Sequence, residues 1–346
     1  LSDTLENEYK ESILKEINEN LKIAFEEKKI IPNFENELND VYKSIDYQAI
    51  IPSETKKNIR FIDAISDGLL LSMQHHKDLI LMGQDIAEYG GAFKITEGFY
   101  KEFGDERVKN TPICESAIVS AAYGLSVNGM KSVVEMQFAD FVSSGFNPIV
   151  NLLAKSHYRW QQNADVVVRM PCGAGVSAGP FHSQTNETWF TKTPGLKVVY
   201  PAFPQDAKGL LISAINDPNP VLFFEHKALY RAVYQDVSEG YFTTEIGKGN
   251  LLKEGKNVSI ISYGAAVHWV LDALKNLPEV EADVIDLRSL QPLDTDMIFA
   301  SVKKTGKVLI VQEDSLFGGI ASDISALITE NCFEFLDAPI KRVGSM

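Results

Sequence analysis

Apolar residues follow two different rhythms along this chain. Leu5, Tyr9, Ile13, Ile17 and Leu21 recur at helical spacing, which predicts an amphipathic helix of roughly 25 residues that ends before a proline. From residue 59 onward, short continuous apolar runs alternate with helical patterns. The predicted strands lie at 78–83, 131–137, 166–170, 196–200 and 221–225, and the predicted helices at 59–74, 116–127, 143–160 and 205–216. This alternation predicts a parallel sheet covered on both faces.

Glycines interrupt this rhythm around residues 235–255. A second alternation of strands and helices follows them, so we expect two α/β domains, one at 58–245 and one at 246–346. The segment 1–57, with thirteen acidic and eight basic residues, is expected to combine the first helix with a linker.

Composition narrows the class of protein. The chain has 346 residues, of which 45% are hydrophobic and 23% charged, and its net charge of −14 disfavours a nucleic-acid surface. The scattered cysteines, Cys114, Cys172 and Cys332, suggest a reducing compartment. No apolar run approaches the ~20 residues that span a bilayer, and the acidic N-terminus argues against a targeting peptide. We therefore expect a soluble cytoplasmic protein.

Glu115 is the first candidate for chemistry. It follows a proline-containing loop and begins an apolar helical pattern. Unpaired amides and the helix dipole favour a carboxylate there. The same position suits an acid that only stabilises the helix start, and the pattern alone leaves both interpretations open.

His182 is the second candidate, in a Gly- and Ser-rich loop after a predicted strand. Active sites of open parallel sheets gather at such strand ends, and histidine transfers protons near neutral pH. Five residues earlier, Ser177 lies in a G-x-S-x-G match. A hydrolase elbow needs a tight strand-to-helix turn, so we interpret this match as coincidence. Phe138 and Phe141 have helical spacing and are either core residues or a stacking surface for a cofactor ring.

Several longer runs resemble a known family. Residues 59–346 are similar to the beta subunit of the decarboxylating component of 2-oxoacid dehydrogenase complexes, of the pyruvate or branched-chain type. The matching runs are GQDIAEYGGAFKITEGF, RVKNTPICESAIVSAAYGLSVNG, EMQFADFVSSGFNPIVN, HSQTNETWFTKTPGLKVVYP, DAKGLLISAINDPNPVLFFEHKALYR, VIDLRSLQPLD and QEDSLFGGIASDI. The resemblance implies an α/β fold with a pyrimidine-binding thiamine-enzyme domain, followed by a transketolase C-terminal-like domain. The runs FHSQTNE and FFEHKALYR lean toward the branched-chain type.

The resemblance also implies a cofactor, thiamine diphosphate, and roles for individual residues. Glu115 matches the glutamate that hydrogen-bonds the aminopyrimidine ring of the cofactor. Phe141 matches an aromatic residue that contacts this ring, and Ile113 matches an apolar residue beside it. His182 matches the histidine that acts in the 2-oxoacid and lipoyl steps.

The resemblance implies two cations. Five positions match residues around a structural cation, usually potassium, held mostly by backbone carbonyls: Val167, Ala214, Ile215, Asp217 and Asn219. The chain lacks the Gly-Asp-Gly motif, followed by Asn, that carries the magnesium and diphosphate of thiamine enzymes; Ser66-Asp67-Gly68 lies inside a predicted helix. The magnesium is therefore expected on an alpha-type partner.

The resemblance implies several partners as well. Residues 1–57 are similar to the C-terminal tail of an alpha subunit, which suggests a fused alpha-beta protein, and the last domain is expected to be truncated after RVGSM. The expected partners are an alpha-type domain, a lipoyl acyltransferase core and a second copy of this chain. Two alternatives remain: a transketolase-like synthase subunit, and a structural subunit without a site.

Overall fold

The structure, a computed structural model, describes residues 2–346. The chain separates into two compact units, residues 1–39 and residues 40–346. The first unit contains α1 (Asp3–Glu26) and α2 (Phe34–Asn39). The predicted amphipathic helix is therefore present, and its apolar side chains, such as Ile13 at 56% exposure, are open to solvent within that unit. No described helix is both long and apolar enough to cross a membrane.

The second unit contains the remaining elements. Its strands are β1 (Lys56–Arg60), β2 (Leu79–Gly83), β3 (Val108–Asn110), β4 (Lys131–Glu135), β5 (Val166–Cys172), β6 (Lys197–Val199), β7 (Val221–His226), β8 (Tyr234–Ser238), β9 (Asn250–Lys253), β10 (Val258–Ser262), β11 (Ala282–Asp286), β12 (Ser289–Gln291), β13 (Val308–Ser315) and β14 (Lys341–Ser345). Its helices are α3 (Phe61–His75), α4 (Phe99–Phe103), α5 (Glu115–Val127), α6 (Ala154–Trp160), α7 (Thr188–Thr191), α8 (Pro204–Asn216), α9 (Leu229–Ala232), α10 (Ala265–Lys275), α11 (Thr295–Thr305) and α12 (Ile320–Cys332).

A seven-stranded sheet forms the larger core, in the order β12-β6-β7-β5-β4-β2-β3. Its strand pairs are parallel except for β12 and β6. Both faces are covered, because β2, β5 and β7 are buried along their whole length. The parallel α/β fold expected from the continuous apolar runs is confirmed.

A second sheet of five strands has the order β14-β13-β10-β11-β9. Its pairs are parallel except for β11 and β9. The edge strand β12 lies after the predicted domain boundary, yet it pairs with β6 in the seven-stranded sheet. The division at residues 58 and 246 stays a prediction, and the main chain crosses between the two sheets more than once.

The helix predicted at 143–160 is present as a continuous run of helical turns, but it is not a regular α-helix. A 3₁₀ helix at Ala139–Gly145, a π-helix at Pro148–Leu153 and α6 occupy this stretch. Pro148 has no N–H group to donate to the preceding turn. A side chain at Gly145 would lie 3.5 Å from the Glu115 carbonyl oxygen, so the 3₁₀ segment packs closely against the start of α5.

Candidate active site

Glu115 is the first residue of α5, as the sequence predicts. Its exposed fraction is only 7%. The Gln84 side-chain amide, directly after β2, donates a 3.3 Å hydrogen bond to Glu115 Oε1. A carboxylate at this position gains from the unpaired amides of the helix start. Its side chain is thus held, nearly buried, at the carboxyl end of the parallel strands, where such sheets place their sites.

Phe141 and His182 are brought together by the fold. Their ring centroids lie 5.5 Å apart at an interplanar angle of 82°. Phe138 contacts both, with centroid distances of 4.6 Å to His182 and 5.8 Å to Phe141. The edge-to-face geometry of all three pairs is the arrangement that aromatic rings prefer. Phe138 and Phe141 therefore form a wall against which the His182 imidazole packs.

Glu115 and this aromatic wall share a structural support. Phe141 lies in the 3₁₀ segment whose last residue, Gly145, packs against the backbone of Glu115. Ile113, two residues before Glu115, is 83% exposed. An acid, an apolar side chain open to solvent and an aromatic wall with a histidine thus lie on neighbouring elements.

The loop that carries His182 is closed at its base by a hydrogen bond from Gly173 N to Gln184 O at 3.0 Å. We call Gly173, Ala174, Ser183 and Gln184 the loop base. Asp140 Oδ1 accepts hydrogen bonds from Ser183 N and Gln184 N, both at 3.2 Å. Since Asp140 directly precedes Phe141, one carboxylate links the aromatic wall to the residues that follow His182.

The other side of the loop base is held by two further charged side chains. Lys227 Nζ donates to the Gly173 carbonyl oxygen at 2.8 Å, and Ala174 N donates to Glu313 Oε1 at 2.7 Å. Burial lowers the pKa of Lys227, against the opposing effect of nearby acids. Sequence reasoning missed Asp140, Lys227 and Glu313. Each lies inside a run that matches the family, but their shared target appears only once the chain is folded.

Glu187 lies five residues after His182 and is completely buried. Its Oε1 accepts a 2.7 Å hydrogen bond from the Tyr263 hydroxyl group. Burial, reinforced by the neighbouring Asp314, raises the pKa of Glu187 to about 8. At neutral pH this side chain is therefore mostly a neutral acid, and it joins the His182 segment to the end of β10.

The predicted cation residues lie toward the amino ends of the strands of the seven-stranded sheet, whereas His182 follows a carboxyl end. Val167 is near the start of β5, whereas His182 follows its end. Asp217 Oδ2 pairs with Lys197 Nζ at 2.5 Å, and its Oδ1 accepts from the backbone and side-chain amides of Asn219 at 2.9 and 2.8 Å. Ala214 and Ile215 lie in the last turn of α8. Because the carboxylate is already engaged, a cation here would have to be held by backbone oxygens.

Ser177 does not lie in a nucleophile elbow. It has a positive φ of 56°. It lies, however, in the middle of the long loop between β5 and a three-residue 3₁₀ helix at Pro180–His182, and not at a tight turn from a strand into an α-helix. Residues 2–346 also contain no group of three or more His, Cys, Asp or Glu side chains that could hold a metal ion.

Comparison with known proteins identifies the family of this chain. The family profile "Transketolase, pyrimidine binding domain" matches residues 57–233, and "Transketolase, C-terminal domain" matches residues 247–346. The 2-oxoisovalerate dehydrogenase subunit beta of Bacillus subtilis is 43% identical over 82% of this chain and 88% of its own length. The chain belongs to the family of 2-oxoacid dehydrogenase beta subunits.

Other members of this beta-subunit family are similarly close. The pyruvate dehydrogenase E1 component subunit beta of Bacillus subtilis is 42% identical over 82% of this chain and 89% of its own length. The mitochondrial 2-oxoisovalerate dehydrogenase subunit beta of Dictyostelium discoideum is 41% identical over 83% of this chain and 79% of its own. A solved structure titled "Split gene transketolase, inactive beta4 tetramer" shares the fold, with a TM-score of 0.67, 24% identity, and coverage of 83% of this chain and 88% of that one.

Proposed function

We propose that this chain provides the pyrimidine-facing half of a thiamine-diphosphate-dependent 2-oxoacid dehydrogenase site, and that an alpha-type partner completes it. The observation that carries the proposal is the nearly buried carboxylate of Glu115 at the start of α5, on elements that pack against the wall of Phe138 and Phe141. Two apolar side chains next to these residues in the sequence are exposed, Ile113 near Glu115 at 83% and Phe181 before His182 at 74%, which suits a surface that a partner covers.

The residues present fit the aminopyrimidine half of the cofactor. Glu115, whose Oε1 accepts a hydrogen bond from Gln84, would hydrogen-bond a ring nitrogen of the cofactor. Phe141 and Ile113 would provide apolar contacts to the ring. When bound, thiamine diphosphate supplies the nucleophilic carbon that attacks the 2-oxoacid, and the protein orients and tunes it. The diphosphate and its magnesium belong to the alpha-type partner.

Each site residue has a distinct task in this proposal. Glu115 holds and exchanges a proton at the ring nitrogen, as a general acid–base group does. His182 sits at the aromatic wall and holds a proton for the 2-oxoacid and lipoyl steps. The aromatic rings exclude water from this side of the cleft, which strengthens the electrostatic interactions inside it. The acyl group would then pass to the lipoyl group of an acyltransferase partner, whose disulfide would be the two-electron oxidant.

Reconstitution tests the proposal. The chain alone, supplied with thiamine diphosphate and magnesium, is expected to show no 2-oxoacid decarboxylation, and an intact alpha-type partner is expected to restore it. The assay is 2-oxoacid-dependent reduction of an artificial electron acceptor. Pyruvate and 2-oxoisovalerate are both tested, because the pyruvate and 2-oxoisovalerate dehydrogenase beta subunits of Bacillus subtilis are almost equally similar to this chain, at 42% and 43% identity.

Two results would contradict this assignment. Activity of the lone chain would refute the half-site. Transfer of a two-carbon unit to a sugar phosphate, without transfer to lipoamide, would instead assign a transketolase-like reaction. We further propose that two copies of the chain associate. Sedimentation analysis would measure the mass of the particle that the chain forms in solution.

The proposed cation is potassium, at backbone oxygens around Asp217 and Asn219. A large, hard cation prefers such ligands, and binding to the folded state alone stabilises it. We expect the melting temperature to rise saturably with KCl and not with NaCl at equal ionic strength, as measured by differential scanning fluorimetry. Identical curves in the two salts would remove potassium from this site.

A further inference from the structure

Outside its base and the contact of the His182 ring with the aromatic wall, few contacts fix the loop that carries His182. Residues 174–181, which begin at the base residue Ala174, are all exposed. Gly175, Ser177 and Gly179 have positive φ angles of 88°, 56° and 77°. A segment with few buried contacts opens at low free-energy cost. The backbone position of His182 therefore depends on the hydrogen bonds of the loop base, while the aromatic wall contacts its ring.

Glu313 reaches this base from the other sheet. It lies near the end of β13, in the five-stranded sheet, whereas the base follows β5 of the seven-stranded sheet. One carboxylate oxygen accepts a hydrogen bond from Ala174 N at 2.7 Å, and the other pairs with His226 Nε2. His226 Nδ1 accepts Ala228 N at 3.2 Å, which leaves Nε2 as the ring nitrogen that donates to Glu313. Both oxygens thus have defined partners.

The backbone passes very close to this pair. A side chain at Gly173, where φ is 81°, would lie 2.2 Å from His226 Nε2. His226 itself is 2% exposed. Burial raises the pKa of Glu313, whereas the hydrogen bonds from His226 and Ala174, together with nearby positive charge such as that of Lys227, lower it, and the net shift is downward. Glu313 is therefore a fixed, charged acceptor rather than a group that titrates near neutral pH.

We propose that Glu313 is a positioning residue that sets the place of His182 through the loop base. The inference rests on the proposed role of His182 in the reaction. Glu313 holds Ala174, the neighbouring Gly173 is bonded to Gln184, and Gln184 lies two residues after His182. The five-stranded sheet thereby supports, through Glu313 as well as through Tyr263 after β10, a site whose candidate catalytic residues come from the larger sheet and its connections.

A set of variants in the reconstituted enzyme tests this proposal. Glu313→Ala is expected to lower kcat by about 10–100-fold, the scale of a misplaced catalytic group. KM for the 2-oxoacid should stay within about twofold, since no substrate contact is removed. Glu313→Gln should recover part of the turnover, because its amide oxygen still accepts the Ala174 N–H group although its NH2 group can no longer accept from His226 Nε2.

The double variant separates positioning from general damage. If Glu313 acts through His182, Glu313→Ala combined with His182→Ala is no slower than His182→Ala alone. Multiplying effects, or a His182→Ala enzyme with unchanged turnover, would overturn the proposal. These outcomes are distinct from failure of the proposed function. In that case the reconstituted wild-type enzyme would itself be inactive, whereas the variants are compared with an active wild type.

A measurement independent of activity accompanies the kinetics. In histidine-labelled protein, the His182 ring resonance, assigned with His182→Gln, is expected to shift or broaden in Glu313→Ala and to stay in place in a control, Asp283→Ala. Asp283 is a matched carboxylate of the same sheet, 1% exposed, that accepts Gly255 N at 2.8 Å. An unmoved His182 resonance in Glu313→Ala would overturn the inference even without any enzyme assay.

Discussion

Replacing Glu115 by glutamine is expected to lower the turnover of the reconstituted enzyme by about 10²–10⁴-fold, the usual contribution of a general acid–base group. Glutamine has nearly the same shape and can still accept a hydrogen bond from Gln84, but it cannot exchange a proton at the cofactor ring. Folding and partner binding should therefore persist while the chemical step slows. The measurement is kcat for 2-oxoacid decarboxylation with saturating thiamine diphosphate, together with the melting temperature of the variant.

A matched control addresses the alternative that Glu115 only stabilises a helix start. Asp323 is an exposed acid in the first turn of α12, which has 13 residues like α5. A first-turn acid contributes roughly 0.3–1 kcal/mol through the helix dipole, so Asp323→Asn should lower stability slightly and leave turnover unchanged. If Glu115→Gln behaved in the same way, with normal turnover, the carboxylate would have no part in the reaction.

The sequence predicted the separate pieces of the site better than their arrangement. Glu115 begins a helix and His182 follows a strand, and both facts are local, so the pattern of apolar and small residues reveals them. The loop base could not be predicted in this way. Asp140 lies 43 residues before Ser183, and Glu313 lies 139 residues after Ala174. Nothing in local propensity or periodicity encodes such distant side chain–backbone hydrogen bonds.

The fold shows the same division between local and long-range information. Buried parallel strands such as β4 and β5 were found because continuous apolar runs mark strands covered on both faces. The helix predicted at 143–160 is present but irregular, because packing of Gly145 against the Glu115 backbone constrains its start and Pro148 lacks the N–H group of a regular turn. The edge strand β12 has only three residues and is defined by pairing with β6 rather than by its own pattern.

Replacing Arg169 by methionine is expected to cost about 3–5 kcal/mol of folding free energy near pH 8, the usual penalty for breaking a buried ion pair. Arg169 lies on β5 with 1% exposure. It donates to Glu135 at 2.8 Å and makes two bonds to Glu225, at 2.7 and 2.8 Å. Methionine fills much of the same space but leaves two buried carboxylates without their cation. We expect a melting temperature lower by on the order of 10 °C.

The penalty should depend on pH in a defined direction. Burial already raises the pKa of Glu135, and the charge of Arg169 opposes that rise. Without Arg169, the folded-state pKa of this acid rises further above its unfolded value. An acid with a raised pKa stabilises the fold fully below its unfolded pKa, and this stability is lost as the pH rises through the folded pKa. The gap in melting temperature between variant and wild type should therefore be smaller at pH 5 than at pH 8.

Two further variants distinguish the missing charge from a packing defect. Lys131→Met removes a partly exposed ion pair to Asp165, 3.0 Å long, and should cost no more than about 1 kcal/mol. The triple variant Glu135→Gln, Arg169→Met and Glu225→Gln should recover much of the stability, because both unpaired charges disappear and the glutamine at 225 still accepts the Tyr230 hydroxyl group. If the triple variant were as unstable as Arg169→Met at both pH values, the loss would come from packing, and the three charges would not determine the stability of this sheet.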